Sequence, residues 1–267
     1  MHFITFSRQM GTKGTEIARL VAQSLQYRFY DTDDIEQKAA EMGFLDDIRE
    51  INDKAPPPLK RVFSYRPEIN LDHLYAVIYE LARMGDAVIL GRGGNMLFRT
   101  LPDALHVLVI ASRGTRIRNL AERGYRPEAA QIVMEKSDRE RESFVRFAFH
   151  QDWGDPGIYD LVLNMDKLSV TTAADLILCA ARADEIRRRS HDTISSLDMM
   201  ELSARVGAAL AVAGFPSSYV SASVHEPGNV RLTGVVQVPW EKSEAERIAL
   251  SIEGVATVEN KIEIAGR

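Results

Sequence analysis

Short apolar segments that alternate with helix-like ones run through the first part of the chain, and they constrain its fold more than any other feature. The apolar segments have the length of strands: HFITF (2–6), AVIL (87–90), LHVLVIA (105–111) and YDLVLNM (159–165). A further short strand is expected to end at FYDTDD, before an acidic helical stretch that reaches about Glu50. Helical periodicity predicts helices over 14–26, 71–84, 113–123, 127–149 and 170–188. This alternation predicts a parallel sheet that is covered by helices on both faces.

Two stretches interrupt this pattern. KAPPPLKRVFSYRP (54–67) is predicted to be an irregular excursion, because its prolines exclude a regular helix or a central strand. RRRSHDTISS (187–196) is polar and charged and is typical of a linker. Beyond it the pattern predicts a helix over 197–213, two strands about a Pro-Gly turn, a helix over 242–252 and a last strand. We therefore predict an α/β domain over 1–186, a linker over 187–196 and a small α+β domain of order αββαβ over 197–267.

Composition excludes several classes of function. The net charge of −5 gives no general attraction to nucleic acid or to an anionic membrane, and no basic, aromatic-bearing surface is evident. A membrane-spanning helix needs about 18 consecutive apolar residues, and no run in the sequence comes near this length. The stretch MHFITFSRQM lacks the features of a signal peptide. Cys179 lies in the apolar run ADLILCAA, where we expect a buried side chain. With one cysteine there is no intrachain disulfide, so we expect a cytoplasmic protein.

The stretch FSRQMGTKGTEIARL (6–20) resembles the phosphate-binding pattern G-x-x-x-x-G-K-[ST]. We call residues 7–15 the phosphate loop. Ser7 and Thr12 replace the two glycines of the pattern, whereas Lys13 keeps its place. The loop follows a predicted strand and opens a predicted helix, where the helix dipole and convergent amide groups bind anions.

Three residue types in the phosphate loop suit this chemistry. Gly11 and Gly14 allow the chain to curl so that several amide groups converge. Lys13 would place a positive charge on the outer phosphates of ATP, and Thr15 a hydroxyl near Mg²⁺. The alternative is a threonine-rich helix cap followed by an exposed lysine.

Four stretches resemble cytidylate kinase-like proteins, a branch of the P-loop nucleoside monophosphate kinases. They are ITFSRQMGTKGTEIARLVAQSLQYRFYD, DAVILGRGGNMLF, HVLVIASRGTRIRNLAER and SDRERESFVRFAFHQDWGDPGIYDLVLNMDKLSV, and together they cover about residues 2–180 in order. The resemblance implies a three-layer α/β/α P-loop fold with a lid, and ATP and Mg²⁺ as cofactors. It also implies transfer of a phosphoryl group to a nucleoside monophosphate.

The end of the strand AVIL carries Arg92 among three glycines, where ligands bind in parallel sheets. The planar fork of an arginine suits bidentate contact with the α-phosphate of an acceptor nucleotide. The alternative is a surface arginine that pairs with an acid. Open surroundings at Gly91, Gly93 and Gly94 favour the functional interpretation.

The stretch from Arg113 to Arg146 is locally basic. Arg116, Arg118 and Arg123 lie in the segment that resembles the lid, where cations would stabilise a transferring phosphoryl group. Simple solvation is the alternative for some of them.

Asp138 and Arg141 lie one helical turn apart and share a face. The resemblance implies that this pair contacts the base and the phosphates, although an ordinary ion pair on a solvated helix explains the spacing equally. Asp31 follows the second strand, where it would orient a Mg²⁺-bound water or the acceptor, or instead cap a helix.

The sequence departs from the family pattern at four positions besides the loop glycines. Thr32 replaces the usual serine after the second strand, and Gln37 replaces an arginine. Gly93 stands where aspartate is common, and Met134 where a further arginine is expected. These departures leave the CMP specificity and the turnover of the site open.

The last part of the chain resembles a BON domain over about residues 196–264. The segments that carry the resemblance are LSARVGAALAVAGF, GNVRLTGVVQV and AERIALSIEGVATVENKIEI. The family is thought to bind ligands, lipids or partner proteins, so this part of the chain is expected to bind a ligand or a protein partner rather than to catalyse.

Two main hypotheses follow. The first is an ATP- and Mg²⁺-dependent kinase of CMP or dCMP, and the second is a non-catalytic nucleotide sensor that signals through the BON-like domain. A kinase of a small non-nucleotide acceptor is a third reading. The residues predicted to bind the donor are Gly11, Thr12, Lys13, Gly14, Thr15, Arg118 and Arg123. The residues predicted to bind the acceptor are Asp31, Thr32, Arg92, Asp138 and Arg141. The predicted catalytic residues are Lys13, Arg92, Arg116 and Arg141, and the predicted metal ligand is Thr15.

Overall fold

The computed structural model describes residues 2–53, 67–187, 193–215 and 217–265. The chain forms two compact units, which we call the first unit (residues 1–34 and 85–193) and the second unit (residues 35–84 and 194–267). The predicted excursion lies, up to residue 66, outside the described residues, as does the centre of the predicted linker. The domain boundaries drawn along the sequence stay a prediction.

The first unit is built on a five-stranded sheet of order β2-β3-β1-β4-β5 in which every pairing is parallel. Its strands are β1 (Phe3–Arg8), β2 (Arg28–Tyr30), β3 (Ala87–Leu90), β4 (Ala104–Ile110) and β5 (Leu161–Asn164). β1 and β3 are almost entirely buried, as expected for near-continuous apolar strands that are covered on both faces. The prediction of a parallel sheet is confirmed.

Helices flank this sheet. They are α1 (Gly14–Leu25), α5 (Gly94–Leu97), α6 (Arg113–Ala121), α7 (Pro127–Phe149), α8 (Val170–Ala181) and α9 (Asp184–Arg187), and α2 (Thr32–Met42) begins in this unit. α1 and α8 bury their apolar faces with the strands in one core that contains Ile17, Val21, Val107 and Ile177. The predicted helix over 170–188 therefore consists of two helices.

The prediction that Cys179 is buried is wrong. The buried positions of α8 are Ala173, Ala174, Ile177, Leu178 and Ala181, which recur at the spacing of one helix face. Cys179 lies on the other face and is exposed. The segment is so rich in apolar residues that composition alone did not reveal which face packs.

The second unit contains the predicted αββαβ arrangement and two further helices, α3 (Leu45–Asp53) and α4 (Pro67–Arg83). Its remaining elements are α10 (Thr193–Val212), β6 (Val220–Glu226), β7 (Asn229–Val236), α11 (Pro239–Leu250) and β8 (Thr257–Ile264). β6 and β7 pair antiparallel, and β7 and β8 pair parallel. α11 begins at a proline. Proline is favoured there because it lacks a backbone N–H group, and an N–H at the first helical position would have no partner in the helix.

α4 is tied to α10 by ion pairs inside the second unit. The Arg83 guanidinium lies 2.9 Å from the Asp198 carboxylate and 3.7 Å from that of Glu201. Glu201 is buried, and its burial raises the pKa of its carboxyl group against the opposing effect of Arg205 and Arg83. The helix before β3 in the sequence thus packs with the C-terminal αββαβ elements.

No helix of the described segments is long and apolar enough to span a membrane.

A buried histidine in the first unit should make stability depend on pH. His106 of β4 lies 2.8 Å (Nδ1 to Oγ1) from Thr5 of β1, and burial lowers its pKa below the usual 6.5 despite the nearby Asp160. The unfolded chain then binds the proton more readily than the folded chain, so stability is lost as pH falls below about 6.5. We expect the unfolding free energy to fall by about 1 kcal/mol between pH 7.5 and 5.5 from this group.

The measurement is urea denaturation at both pH values on the wild type and on His106→Gln. The His106→Gln variant should show the smaller pH dependence. His73 has a lowered pKa for the same reason and lies in the second unit, so His73→Gln is the matched comparison. An unchanged pH dependence in His106→Gln would contradict the expectation.

Candidate functional site

The ends of the parallel strands bring the predicted site residues to one edge of the sheet, which we call the carboxyl edge. The phosphate loop leaves β1 there, between β3 and β4 in the sheet order. β3 ends at the same edge in Gly91, whose amide donates a 2.8 Å hydrogen bond to the Phe6 carbonyl. Open α/β sheets bind their ligands at this edge.

The carbonyl groups of the phosphate loop are turned toward the protein. The Gln9 carbonyl accepts from the Thr12 hydroxyl at 2.9 Å. The Met10 carbonyl accepts from the Arg116 Nε at 2.7 Å, and the Gly11 carbonyl from the Asn119 side-chain amide at 2.8 Å. Three consecutive acceptors are thus occupied by the loop itself and by α6.

The amide groups of the same loop remain open. Within the described residues, the amides of residues 11–15 donate no hydrogen bond. Positive φ angles at Gly11 (87°) and Lys13 (62°) turn the backbone so that it enters α1 with these amides at the helix start. Consecutive open amides at a helix N-terminus form a site for phosphate oxygens.

Asp138 on α7 also holds the phosphate loop in place. One carboxylate oxygen of Asp138 accepts from the Met10 amide at 3.0 Å, and the other forms an ion pair with Arg116. Arg116 is 7% exposed, so this pair is largely withdrawn from solvent. Arg116 and Asp138 together hold Met10 by both its carbonyl and its amide.

Lys13 occupies the last position before α1. Its Nζ lies 2.6 Å from Glu122 at the end of α6, and the bond to Lys13 lowers the pKa of that carboxyl group. A second ion pair, between Arg123 and Glu16 at 2.6 Å, joins the same two helices. Both pairs are exposed and therefore weak enough to exchange for a phosphate ligand.

Three guanidinium groups converge on the carboxyl edge: Arg8 at the end of β1, Arg92 after β3 and Arg141 on α7. We call them the arginine cluster. Burial, followed by the positive charges of Arg141 and Arg92, lowers the pKa of Arg8, whereas Asp31 raises it. Burial also lowers the pKa of Arg141, although Asp138 opposes this shift. Because the charges of Arg92 and Arg141 both act on Arg8, the three cations together favour a polyanion.

Comparison with known proteins agrees with this geometry. The profile of the cytidylate kinase-like family matches residues 3–167 of the chain. This chain belongs to the cytidylate kinase-like family. The profile of the BON domain matches residues 200–266, as the resemblance predicted. No curated protein matches the chain by sequence.

Solved structures also resemble the chain. An uncharacterized protein from Eubacterium ventriosum ATCC 27560 is 21% identical, with a TM-score of 0.55 over 67% of this chain and 97% of that one. Shikimate kinase from Bacteroides thetaiotaomicron is 10% identical, with a TM-score of 0.40 over 68% and 99% of the two chains. Deoxyadenosine kinase from M. mycoides with bound dATP is 14% identical, with a TM-score of 0.37 over 68% and 100%. With its parallel sheet and flanking helices, the chain has the P-loop kinase fold.

The remaining residues predicted from the family pattern are Asp31, Thr32 and Arg118, and their contacts and burial are as follows. Asp31 accepts from Arg19 at 2.6 Å and from the amide of Asp33 at 3.0 Å, so it caps α2 while its charge also acts on Arg8. Thr32 is the first residue of α2 and is half-buried. Arg118 is exposed and donates to the Thr115 hydroxyl at 2.9 Å.

The substitutions of family residues have packing reasons. Ser7 is buried and hydrogen-bonded to the Tyr159 side chain. Met134 is buried in an apolar cluster on which Met10 of the phosphate loop packs, so this position supports the loop from below. Gly93 has a φ of 72°, and an added Cβ would lie 2.3 Å from the Phe149 ring. No side chain fits at Gly93 without displacing that ring.

The donor set at the loop fits Mg²⁺ bound together with a nucleotide. Within the described residues no cluster of three or more histidine, cysteine or acidic side chains forms a metal site. Mg²⁺ usually keeps several waters and binds through phosphate oxygens and one or two protein oxygens. Thr15, half-buried in the first turn of α1, would supply such an oxygen.

Sequence reasoning missed three contributors to the site: Arg8, Asn119 and Phe149. Arg8 stands at a variable position of the phosphate-binding pattern, and although it lies in the stretch that resembles the family, no role was assigned to it from the sequence. Asn119 acts through a side-chain bond to a carbonyl 108 residues away. Phe149 occupies the space beside Gly93. These contacts depend on tertiary structure and leave no periodic trace in the sequence.

Proposed function

We propose that this protein is an ATP-dependent kinase of a nucleoside monophosphate, with CMP or dCMP as the first candidates. One observation carries the proposal. A loop with five open amides and a cluster of three arginines lie together at the carboxyl edge of a P-loop kinase fold. The amides suit the phosphates of a donor, and the arginines suit the phosphate of an acceptor.

In this proposal each residue binds or positions a phosphate. The amides of residues 11–15 and Lys13 hold the donor phosphates, and the ion pair of Lys13 with Glu122 exchanges for the ligand. Arg92 and Arg141 hold the acceptor phosphate, and Arg116 and Asp138 keep the loop in shape. ATP bound with Mg²⁺ supplies the phosphoryl group. Phosphoryl transfer needs mainly positioning and charge stabilisation from a protein.

The test is a phosphoryl-transfer assay with ATP and Mg²⁺ on CMP, dCMP, UMP, AMP and GMP, and without acceptor. We expect turnover on one nucleotide, and Lys13→Ala should lower kcat by about 100-fold or more. Lys136→Ala is the matched control, because Lys136 is an exposed lysine on α7 that forms a long 3.8 Å ion pair with Glu140. Glu122→Gln releases Lys13 from its partner and should keep transfer activity.

A second candidate function is a nucleotide sensor that signals through the BON domain. The observation that favours it is a cavity of about 290 Å³ in the second unit. The cavity lies between α4, α10 and β6, and its lining includes Tyr75, Tyr79, Met200 and Ser203. Small-molecule sites start at about this size. Absence of turnover on every acceptor, together with a rise in Tm on addition of ATP, would favour the sensor.

A further inference from the structure

The Arg8 side chain passes close to two glycines, and a Cβ atom at either of them would clash with it. An added Cβ at Gly14 would lie 2.7 Å from the Cβ of Arg8, and one at Gly91 would lie 2.7 Å from its Nη1. The side chain therefore passes the start of α1 and reaches the end of β3. It spans the distance between the phosphate loop and the backbone next to Arg92.

The charge of Arg8 has no counter-charge in direct contact. Within the described residues, its guanidinium forms no hydrogen bond and no ion pair, and Asp31 acts on it only through space. Arg116 is the contrast, since its guanidinium contacts both the Met10 carbonyl and Asp138. A half-buried cation without a partner costs stability unless a ligand supplies the anion.

We propose that Arg8 contacts the phosphoryl group during its transfer, between the donor phosphates on the loop and the acceptor phosphate on Arg92 and Arg141. This role rests on the proposed kinase function. In the reaction an oxygen of the acceptor phosphate bonds to the γ-phosphorus of ATP. The bond to the β–γ bridging oxygen breaks, and its electron pair stays on ADP. The planar fork of Arg8 can contact oxygens on both sides of this centre.

The test uses the full chain and two variants, Arg8→Met and Arg8→Lys. Without ligand, Arg8→Met should raise Tm by roughly 2–4 °C, because an unpaired, half-buried charge is removed. Its affinity for tripolyphosphate, measured by calorimetry, should fall about tenfold or more, and its kcat about 100-fold. Arg8→Lys keeps the charge without the fork, so it should bind tripolyphosphate better than Arg8→Met and still transfer slowly. Arg182→Met, an exposed arginine at the end of α8, should change none of these quantities.

Two outcomes would overturn the role of Arg8. An unchanged affinity for tripolyphosphate in Arg8→Met would show that the side chain does not reach the phosphates. A lower Tm without ligand would show that Arg8 finds its counter-charge inside the chain. If Arg8→Met does not fold, the same comparison is made on Arg8→Lys, whose unchanged kcat would also overturn the role. If the wild type transfers to no acceptor, the kinase proposal fails, whereas the tripolyphosphate measurement still decides whether Arg8 binds phosphate.

Discussion

Replacement of Arg116 by methionine is expected to lower the unfolding free energy by about 3 kcal/mol and to weaken the binding of ATP. The variant removes the closer ion-pair partner of the half-buried Asp138 carboxylate and leaves the longer 3.5 Å pair with Arg141. It also removes the hydrogen bond that the Met10 carbonyl accepts at 2.7 Å. The phosphate loop would then be held less firmly, because the Arg116 contact is lost and the contacts of Asp138 with the Met10 amide and of Asn119 with the Gly11 carbonyl remain. Chemical denaturation and ATP calorimetry measure the two effects.

An exposed ion pair on the same helix as Asp138 provides the matched control. Arg146 pairs with Glu142 at 2.6 Å, with side chains that are 67% and 43% exposed. Arg146→Met should therefore change the unfolding free energy by only about 0.5 kcal/mol. The double variant Arg116→Met with Asp138→Asn should cost less than the sum of its parts, since both charges of this ion pair are removed together. Strict additivity would mean that the pair does not stabilise the loop.

The parallel sheet of the first unit and the αββαβ order within the second could be predicted from periodicity. β1, β3 and β4 are mostly apolar runs, and such runs between amphipathic helices have few solutions other than a parallel sheet. The phosphate loop could be predicted for a related reason. Its position between a strand and a helix is visible in the sequence, and the open amides follow from that position more than from the identity of each residue.

The contacts inside the site could not be predicted in the same way. Asp138 and Met10 are 128 residues apart, and the helical spacing of Asp138 and Arg141 suggested only that they share a face. The structure shows that Asp138 also holds the loop and Arg116. A charged residue in a sequence does not reveal its partner, so the difference between a buried arginine such as Arg116 and an exposed one such as Arg118 appears only in the fold.

The phosphate loop keeps its turn although it lacks the two glycines of the usual pattern. Thr12 is buried and donates to the Gln9 carbonyl, so its hydroxyl closes the turn that a glycine would make by backbone freedom. Lys13 itself adopts a positive φ of 62°, a conformation that is costly for a residue with a side chain. Such strain persists where the surrounding structure holds it, and it is concentrated at functional sites. The pattern match identified Lys13 but gave no sign of this conformation.

Gly11→Ala is expected to lower kcat by about 100-fold with little change in the overall fold. Gly11 has a φ of 87°, and an added Cβ would lie 2.8 Å from the Arg116 backbone carbonyl. Neither the loop nor α6 can yield easily, since the Arg116 and Asn119 side chains already hold the loop against this helix. The loop must then shift, and its amides lose their common direction. The assay is phosphoryl transfer, with tripolyphosphate calorimetry as the readout that does not need turnover.

Gly124→Ala separates backbone strain from the contact with α6. Gly124 has a φ of 89°, nearly that of Gly11, but an added Cβ would meet nothing within 4 Å. Both variants carry the strain of a left-handed alanine, which costs about 1–2 kcal/mol. Only Gly11→Ala also displaces the phosphate loop, so only it should lose phosphate affinity. Equal losses in the two variants would mean that general destabilisation, and not the direction of the loop amides, limits binding.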